Sequence, residues 1–291
     1  MPFSRIIAGV MKWGLWGAKF NSNAYEQMIK DCLALGVTTF DHADIYGDYT
    51  TEEEFGNVLN QEPSLRQQMY LITKCGIRRP CASRPDFKIK SYDSSFEHIV
   101  QSVETSLKNL RTDYIDALLI HRPDILMDAD EIAKAFTHLK QQGKVLHFGV
   151  SNFLPAQVSL LNSSYQLKFN QVQCSVLHLS GFIDGTLDQC QQHKITPMAW
   201  SPLGGGNIFA VTEDERIKRI IAVAQLLAEK YNNSPDIILL SWLLQHPSGI
   251  CPVLGTSKAI RVKATLEALH LKLEREEWYM LWRASTGKEV A

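Results

Sequence analysis

Eight short apolar runs, each followed by a polar loop and then by residues at helical spacing, constrain this chain more than any other feature. The runs are RIIAGV (5–10), VTTFD (37–41), MYLITK (69–74), YIDALLIH (114–121), VLHFGVS (145–151), FNQVQCS (169–175), TPMAWS (196–201) and ICPVL (250–254). Short apolar runs of this kind, bounded by turn residues, read as strands. Between them, AYEQMIKDCLALG (24–36) carries apolar positions at helical spacing and ends on Gly36, where a helix C-cap belongs. EEEFGNVLN (52–60) reads as a short helix. SSFEHIVQSVETSLKNL sets Ser94 three residues before Glu97, a capping-box pattern, and aligns Ile99, Val100, Val103, Leu107 and Leu110 on one face. DEIAKAFTHLKQQG (130–143) is closed by Gly143, and residues 215–231 repeat the period through Ile217, Ile220, Ile221, Ala224, Leu227 and Tyr231. Ser234-Pro235 starts a further helix, and another is expected at about 258–270.

Eight strand–helix alternations over about 250 residues predict a (β/α)8 TIM barrel, an α/β fold in one domain spanning 1–291. A doubly wound open sheet is the competitor, and it would place G-x-G-x-x-G after its first strand. Here MKWGLWG follows the first strand, and the glycine cluster LGGGN (203–207) follows the seventh. The tail from about 272 to 291, with Leu273, Trp278, Leu281 and Trp282, is expected to pack as a helix on the barrel.

The apolar fraction of 45% is ample for a large core, and a net charge of −1 gives no footprint for a polyanion. Nucleic acid and membrane partners are therefore not expected. The longest apolar run, IILLSWLL (237–244), is far too short to span a bilayer. The six cysteines form no CxxC or other metal-like spacing, and the N-terminus has no clear cleavage pattern, which together suit a soluble cytoplasmic protein. Oligomeric state has no signature in the sequence.

In such barrels the chemistry sits at the C-terminal ends of the strands. Asp41 ends the second run and Tyr46 lies in the loop after it, within FDHADIYGD (40–48). Lys74 ends the third run, His121 the fourth, and Ser151 the fifth, followed by Asn152. Gln173 lies near the end of the sixth, and Trp200-Ser201 end the seventh. A barrel held by packing alone has no need of a polar or aromatic group at each of these ends. Asp41, His42, Asp44 and His121 raise the question of a metal. The fifth to eighth strand ends offer no further histidine or carboxylate, so no metal is expected, and His42 and Asp44 are read as loop supports.

The ordered set FDHADIYG, LITKCG, LLIHRP, GVSNF, NQVQ and AWSPLGGG resembles the aldo-keto reductase family. HADIYG with IHRPDILMDADEIAKAF is similar to its bacterial YdhF-type oxidoreductase branch. The resemblance runs from about Arg5 to Trp282 and implies reduction of aldehydes or ketones with a nicotinamide cofactor bound without a Rossmann domain. It implies a catalytic tetrad of Asp41, Tyr46, Lys74 and His121. It puts Ser151, Asn152 and Gln173 on the nicotinamide carboxamide, Trp200 on the ring face, and Ser201, Leu203 and Gly204 along the pyrophosphate. LGTSKAIR matches the adenosine-phosphate stretch through Gly255, Thr256, Ser257, Lys258 and Arg261. A guanidinium there suits a 2′-phosphate, so NADPH is expected over NADH. The family often continues with an acidic residue and asparagine, where this chain has Ala264 and Thr265.

The chemistry is consistent with that assignment. Hydride addition to a carbonyl builds negative charge on oxygen, and a positioned proton donor lowers the barrier. Lys74 is expected to make Tyr46 a stronger acid, Asp41 to hold the ammonium, and neutral His121 to orient the carbonyl. Trp13 and Trp16 are expected to wall the substrate pocket, with segment 76–93 as a cover. Two rivals stand beside the reductase. One is a cofactor-binding regulatory subunit, as in the related potassium-channel β-subunits. The other is a barrel hydrolase or isomerase using Asp41 and His121 without nicotinamide.

Overall fold

All eight apolar runs form strands, and each pairs in parallel with its neighbours until the sheet closes on itself. The computed structural model of the chain describes residues 3–291. In chain order it begins with β1 (Ile7–Gly9), α1 (Ser22–Ala34), β2 (Thr39–Asp41), α2 (Thr51–Gln61) and β3 (Tyr70–Cys75). A two-stranded antiparallel excursion follows, β4 (Ile77–Arg78) with β5 (Ser91–Tyr92), and then α3 (Phe96–Leu110) and β6 (Ile115–Ile120). The chain continues through α4 (Ala129–Gln141), β7 (Val145–Ser151), α5 (Pro155–Ser164) and β8 (Phe169–Gln173). Next come α6 (Ser180–Ile183), α7 (Thr186–His193), β9 (Thr196–Trp200), α8 (Glu215–Lys230) and α9 (Pro235–Leu244). The last elements are β10 (Cys251–Leu254), α10 (Ala259–Thr265) and α11 (Arg275–Thr286). Around the barrel the order is β1-β10-β9-β8-β7-β6-β3-β2, the (β/α)8 arrangement expected.

Alternate residues of a strand share a face, and that periodicity divides the barrel interior into two levels. The lower level is apolar: Ile7, Ile72, Ala117, Leu119, Phe169, Met198, Cys251 and Val253 pack as one buried cluster. One step higher on the same faces the side chains turn polar. Ile72 gives way to Lys74, Leu119 to His121, Phe169 to Gln171, and Met198 to Trp200. The outward strand faces pack on the helices in three further apolar clusters. Among the described residues no helix is long and apolar enough to cross a membrane.

Helix starts follow local capping chemistry. The cap of α3 is Ser95, whose Oγ accepts a hydrogen bond from the His98 amide at 3.3 Å. The expected cap, Ser94, instead donates to Asp124 at 3.2 Å. The start is displaced by one residue because two adjacent serines offer the same chemistry and a tertiary partner claims the first. The tail forms α11, which lies against α8 and α9. Trp242 and Trp278 stack with centroids 4.8 Å apart, and each indole N–H donates to the other residue's carbonyl at 3.0 Å.

Helices α2 and α3 meet at Gly56, whose missing side chain lets the backbones touch. A Cβ there would fall 1.9 Å from the Asn109 carbonyl oxygen and 2.8 Å from Leu110 Cα. Both are backbone atoms, so a methyl group cannot be accommodated by a rotamer change. Gly56→Ala is expected to destabilise the fold by about 1–3 kcal/mol through overpacking, despite alanine's better helix propensity. Urea unfolding of the variant checks this; an unchanged midpoint would mean that the helices separate freely.

Candidate active site

Three strands and one loop deliver four ionisable groups to one end of the barrel. Asp41 is the last residue of β2 and pairs in register with Ile72, so Lys74 lies two residues further along β3 on the same face. The loop after β2 then folds back over β3, with the Asp44 amide donating to the Lys74 carbonyl at 3.0 Å. This turn brings Tyr46 over the lysine. The Lys74 ammonium donates to Asp41 Oδ2 at 2.8 Å, to the His42 carbonyl at 2.7 Å and to Tyr46 Oη at 3.1 Å. His121 completes the group, its ring edge-on to the Tyr46 ring at 6.1 Å. All four side chains are buried, and Lys74 has no exposed surface at all.

The charge states follow from this burial. Desolvation alone would pull Lys74 down, but Asp41 and the Tyr46 oxygen outweigh it, so the ammonium is held above its ordinary range. Desolvation drives His121 well below the usual histidine range, assisted by the charges of Lys74, Arg122 and Lys90. It is a neutral imidazole, and its Nδ1 has no partner among the described residues. Lys74 acts on Tyr46 in the expected direction, but burial acts against it. Burial pushes its phenol up, and the Lys74 charge only partly opposes that, so in net terms Tyr46 is not made more acidic. The lysine keeps the cost of forming a phenolate down while burial keeps the proton in place.

Gln171 was absent from the sequence reading. Its amide nitrogen donates to Asp41 Oδ1 at 2.8 Å, so both carboxylate oxygens are held, one by Lys74 and one by Gln171. The signal was present: Phe169, Gln171 and Gln173 occupy one strand face, and the middle one lies level with Ser151 and Met198. Gln173 is half-buried at the strand end, beside Trp200. On the outward face of β3, Thr73 donates to buried Glu52 at 2.6 Å, tying α2 to the strand that carries Lys74. His42 is fully buried with neither ring nitrogen bonded, packed edge-on against Phe55 at 4.5 Å.

The residues matched to the nicotinamide form a connected set. Asn152 stands in left-handed conformation, with φ 60°. Its amide nitrogen donates to Ser151 Oγ at 2.7 Å, and its Oδ1 accepts from the Trp200 indole at 2.9 Å. Ser201, Leu203 and Gly204 follow directly after β9, where Gly204, Gly205 and Gly206 all have positive φ. Gly255, Thr256, Ser257, Lys258 and Arg261 lie beyond β10, at and inside the start of α10. The two tryptophans expected to wall the pocket separate. Trp13 is completely buried among Phe20, Tyr25, Phe40 and Phe55 and donates its indole N–H to the Thr256 carbonyl at 3.0 Å. With no exposed surface, it is a core residue and does not wall a pocket. Trp16 is half-buried with its ring 6.1 Å from that of Tyr46, and keeps that role open.

The family model for the aldo/keto reductase family matches residues 5–285. Oxidoreductase YdhF of Escherichia coli is 45% identical, over 99% of this chain and 95% of its own length. A 6-dehydroglucose reductase of Agrobacterium fabrum is 41% identical, over 100% of this chain and 97% of its own. A solved thermostable aldo-keto reductase in complex with the inhibitor epalrestat superposes with a TM-score of 0.81 at 24% identity, covering 97% of this chain and 95% of that one.

Burial of His42 makes stability depend on pH. Desolvation, with a smaller push from Lys74, lowers its pKa from 6.5 to about 3. Between those values the unfolded chain takes up a proton that the folded protein refuses, so this contribution is complete above pH 6.5 and lost as pH falls. By pH 5 the loss is about 2 kcal/mol from this residue. His42→Leu should shrink the drop in unfolding free energy between pH 7.5 and pH 5 by that amount. An equal drop in both proteins would assign the acid sensitivity elsewhere.

Proposed function

The chain belongs to the aldo/keto reductase family, and from that membership we propose that it is an NADPH-dependent reductase of aldehydes or ketones with Tyr46 as proton donor. The observation that carries the reading is the contact of the buried Lys74 ammonium with the Tyr46 phenol at 3.1 Å, beside the neutral His121. A hydrolase using Asp41 as its base would need a free carboxylate, and both Asp41 oxygens are engaged.

A reduced nicotinamide supplies the hydride when bound. The oxygen of a carbonyl being reduced there would gain charge and take the proton from Tyr46 Oη. Lys74, already bonded to Oη, stabilises the phenolate left behind, and Asp41 keeps the ammonium from turning elsewhere. His121, uncharged, is suited to donate a hydrogen bond to the carbonyl oxygen without competing for its proton. Burial of the set excludes water, which strengthens each of these interactions.

The chain's own residues fit the dinucleotide. The Trp200 indole is fixed by Asn152, as a stacking face requires. Gly255 has open space where a side chain would stand, and the three positive-φ glycines after β9 leave the backbone free to approach a phosphate. Arg261 is exposed and has no carboxylate partner among the described residues, so its fork is free for a 2′-phosphate. Thr265, by contrast, is buried and spends its hydroxyl on the Val262 carbonyl at 2.7 Å, so it does not reach out to adenine. The relative named as a 6-dehydroglucose reductase supports a small carbonyl compound as substrate. Unpaired cysteines, mostly buried, suit a reducing cytoplasm.

Oxidation of NADPH, followed by its absorbance with a panel of aldehydes, tests the reading directly. Tyr46→Phe should lower turnover by about 10²–10⁴-fold while leaving NADPH affinity within about twofold. Wild-type turnover in that variant would reject Tyr46 as the acid. Arg261→Ala should weaken NADPH binding by about 10–100-fold and leave NADH nearly unchanged, as expected for loss of a charged phosphate contact. Equal losses for the two dinucleotides, measured by quenching of tryptophan fluorescence, would remove the phosphate role.

A further inference from the structure

Arg122, immediately after His121, is a charged group at the site with no task in the chemistry above. Its Nη1 donates to the His121 carbonyl at 2.8 Å and lies 3.5 Å from Ser151 Oγ. Its guanidinium carbon stands 5.9 Å over the Trp200 ring. The side chain is half-buried and thus held at the rim between the Tyr46 and Trp200 sides of the site. Among the described residues Nε and Nη2 have no hydrogen-bond partner, and they are not sealed from solvent. On the reductase reading, we propose that Arg122 recognises an anionic group, a carboxylate or phosphate, carried by the carbonyl substrate itself.

The contrast with Arg66 shows what is missing. Arg66 is nearly as enclosed as a core residue, and it is fully engaged: Asp116 at 2.7 Å, Thr112 Oγ1 at 2.8 Å and the carbonyls of Met69 and Tyr114. Arg122 has no carboxylate partner among the described residues. The groups whose fields reach it are the phenols of Tyr92 and Tyr46, and burial lowers its pKa because the charge is partly stripped of water. No surplus of negative charge stands nearby to satisfy it either. Lys74 is matched by Asp41, His121 is neutral, and Lys90 adds a second cation whose field reaches His121. A partly desolvated guanidinium with two free donors binds an anion through charge-assisted, paired hydrogen bonds.

The phosphates of the dinucleotide do not account for Arg122. Their expected contacts lie on the loops beyond β9 and β10, and among the described residues Arg122 hydrogen-bonds only to the His121 carbonyl and Ser151 Oγ, on neither loop. The anion that fits this position is attached to the molecule being reduced.

Two substrate pairs of similar size differ in whether they carry a carboxylate: 4-oxobutanoate against butanal, and 3-carboxybenzaldehyde against its methyl ester. Wild-type kcat/KM should favour the anionic member of each pair by about tenfold or more, the size of one charged hydrogen-bonded contact. Arg122→Gln should collapse that ratio, chiefly through KM, with NADPH affinity within about twofold; Arg122→Lys should restore part of it. A wild-type preference for the neutral members, or for glyceraldehyde over both anions, would overturn the proposal. So would an Arg122→Gln variant that loses both members equally or binds NADPH poorly. Succinate binding to the NADP⁺-loaded protein, read by tryptophan fluorescence, tests the same site without turnover. Saturable binding lost in Arg122→Gln would support the anion site even if every aldehyde failed and the reductase reading with them; no binding would sink it.

Discussion

A lysine ammonium with no exposed surface sits at the centre of this molecule, and much of the upper barrel is arranged to make it tolerable. An ion moved from water into a protein interior costs several kcal/mol unless paired and fully bonded. Lys74 has three donors and three acceptors around it, from a strand carboxylate, a backbone carbonyl and a loop phenol. Each comes from the segment Asp41 to Tyr46, so one stretch of six residues must turn back over β3 to meet it. Removing either partner of the Lys74–Asp41 pair would strand the other, typically at about 3–5 kcal/mol. The conformation of the tyrosine loop is therefore tied to the charge that the chemistry requires.

That loop is also supported from behind. Strand residues alternate, so while Lys74 points into the barrel, Thr73 and Cys75 point out toward α2 and α3. Thr73 meets Glu52, whose carboxylate burial pushes up and hydrogen bonds from Thr73, Ser106 and Asn109 pull back. Asp44 is driven well above the usual carboxylate range by burial and by Glu52. The outward side of β3 thus carries a polar anchor between barrel and helices where apolar packing would be ordinary. Gly56, a few residues along α2, lets α3 approach closely beside this anchor.

What could be read in the sequence follows a physical rule: contacts governed by periodicity were legible, and contacts set by tertiary neighbours were not. Strand alternation predicts that residues ending successive runs share one rim, which places Asp41, Lys74, His121, Ser151 and Trp200 together. The same alternation held Gln171, passed over because a glutamine inside a strand gives no sign of its partner, Asp41, 130 residues away. Trp13 misled for the reverse reason. An indole shortly after the first strand looks like a pocket wall, but its N–H meets a carbonyl 243 residues distant and the ring closes the core. The effect of Lys74 on Tyr46 was legible with its right sign, because adjacency to a cation can be read from the sequence, whereas the depth of burial that outweighs it cannot.

The division of charge at the rim separates chemistry from recognition. Within the proposed catalytic set, each ionic group is compensated: Lys74 by Asp41, Asp41 by Lys74 and Gln171, and His121 by remaining neutral. Such a set can pass a proton without presenting a net charge to what enters, so it has no electrostatic preference among carbonyl compounds. The charge that does face the entering molecule belongs to Arg122, pinned by the carbonyl of the neighbouring histidine. Because that bond is to the backbone, the Arg122 side chain can change without altering the hydrogen bonds of Lys74, Asp41 or Tyr46. A barrel with this layout can keep one reaction while substitution next to the histidine changes which molecules reach it.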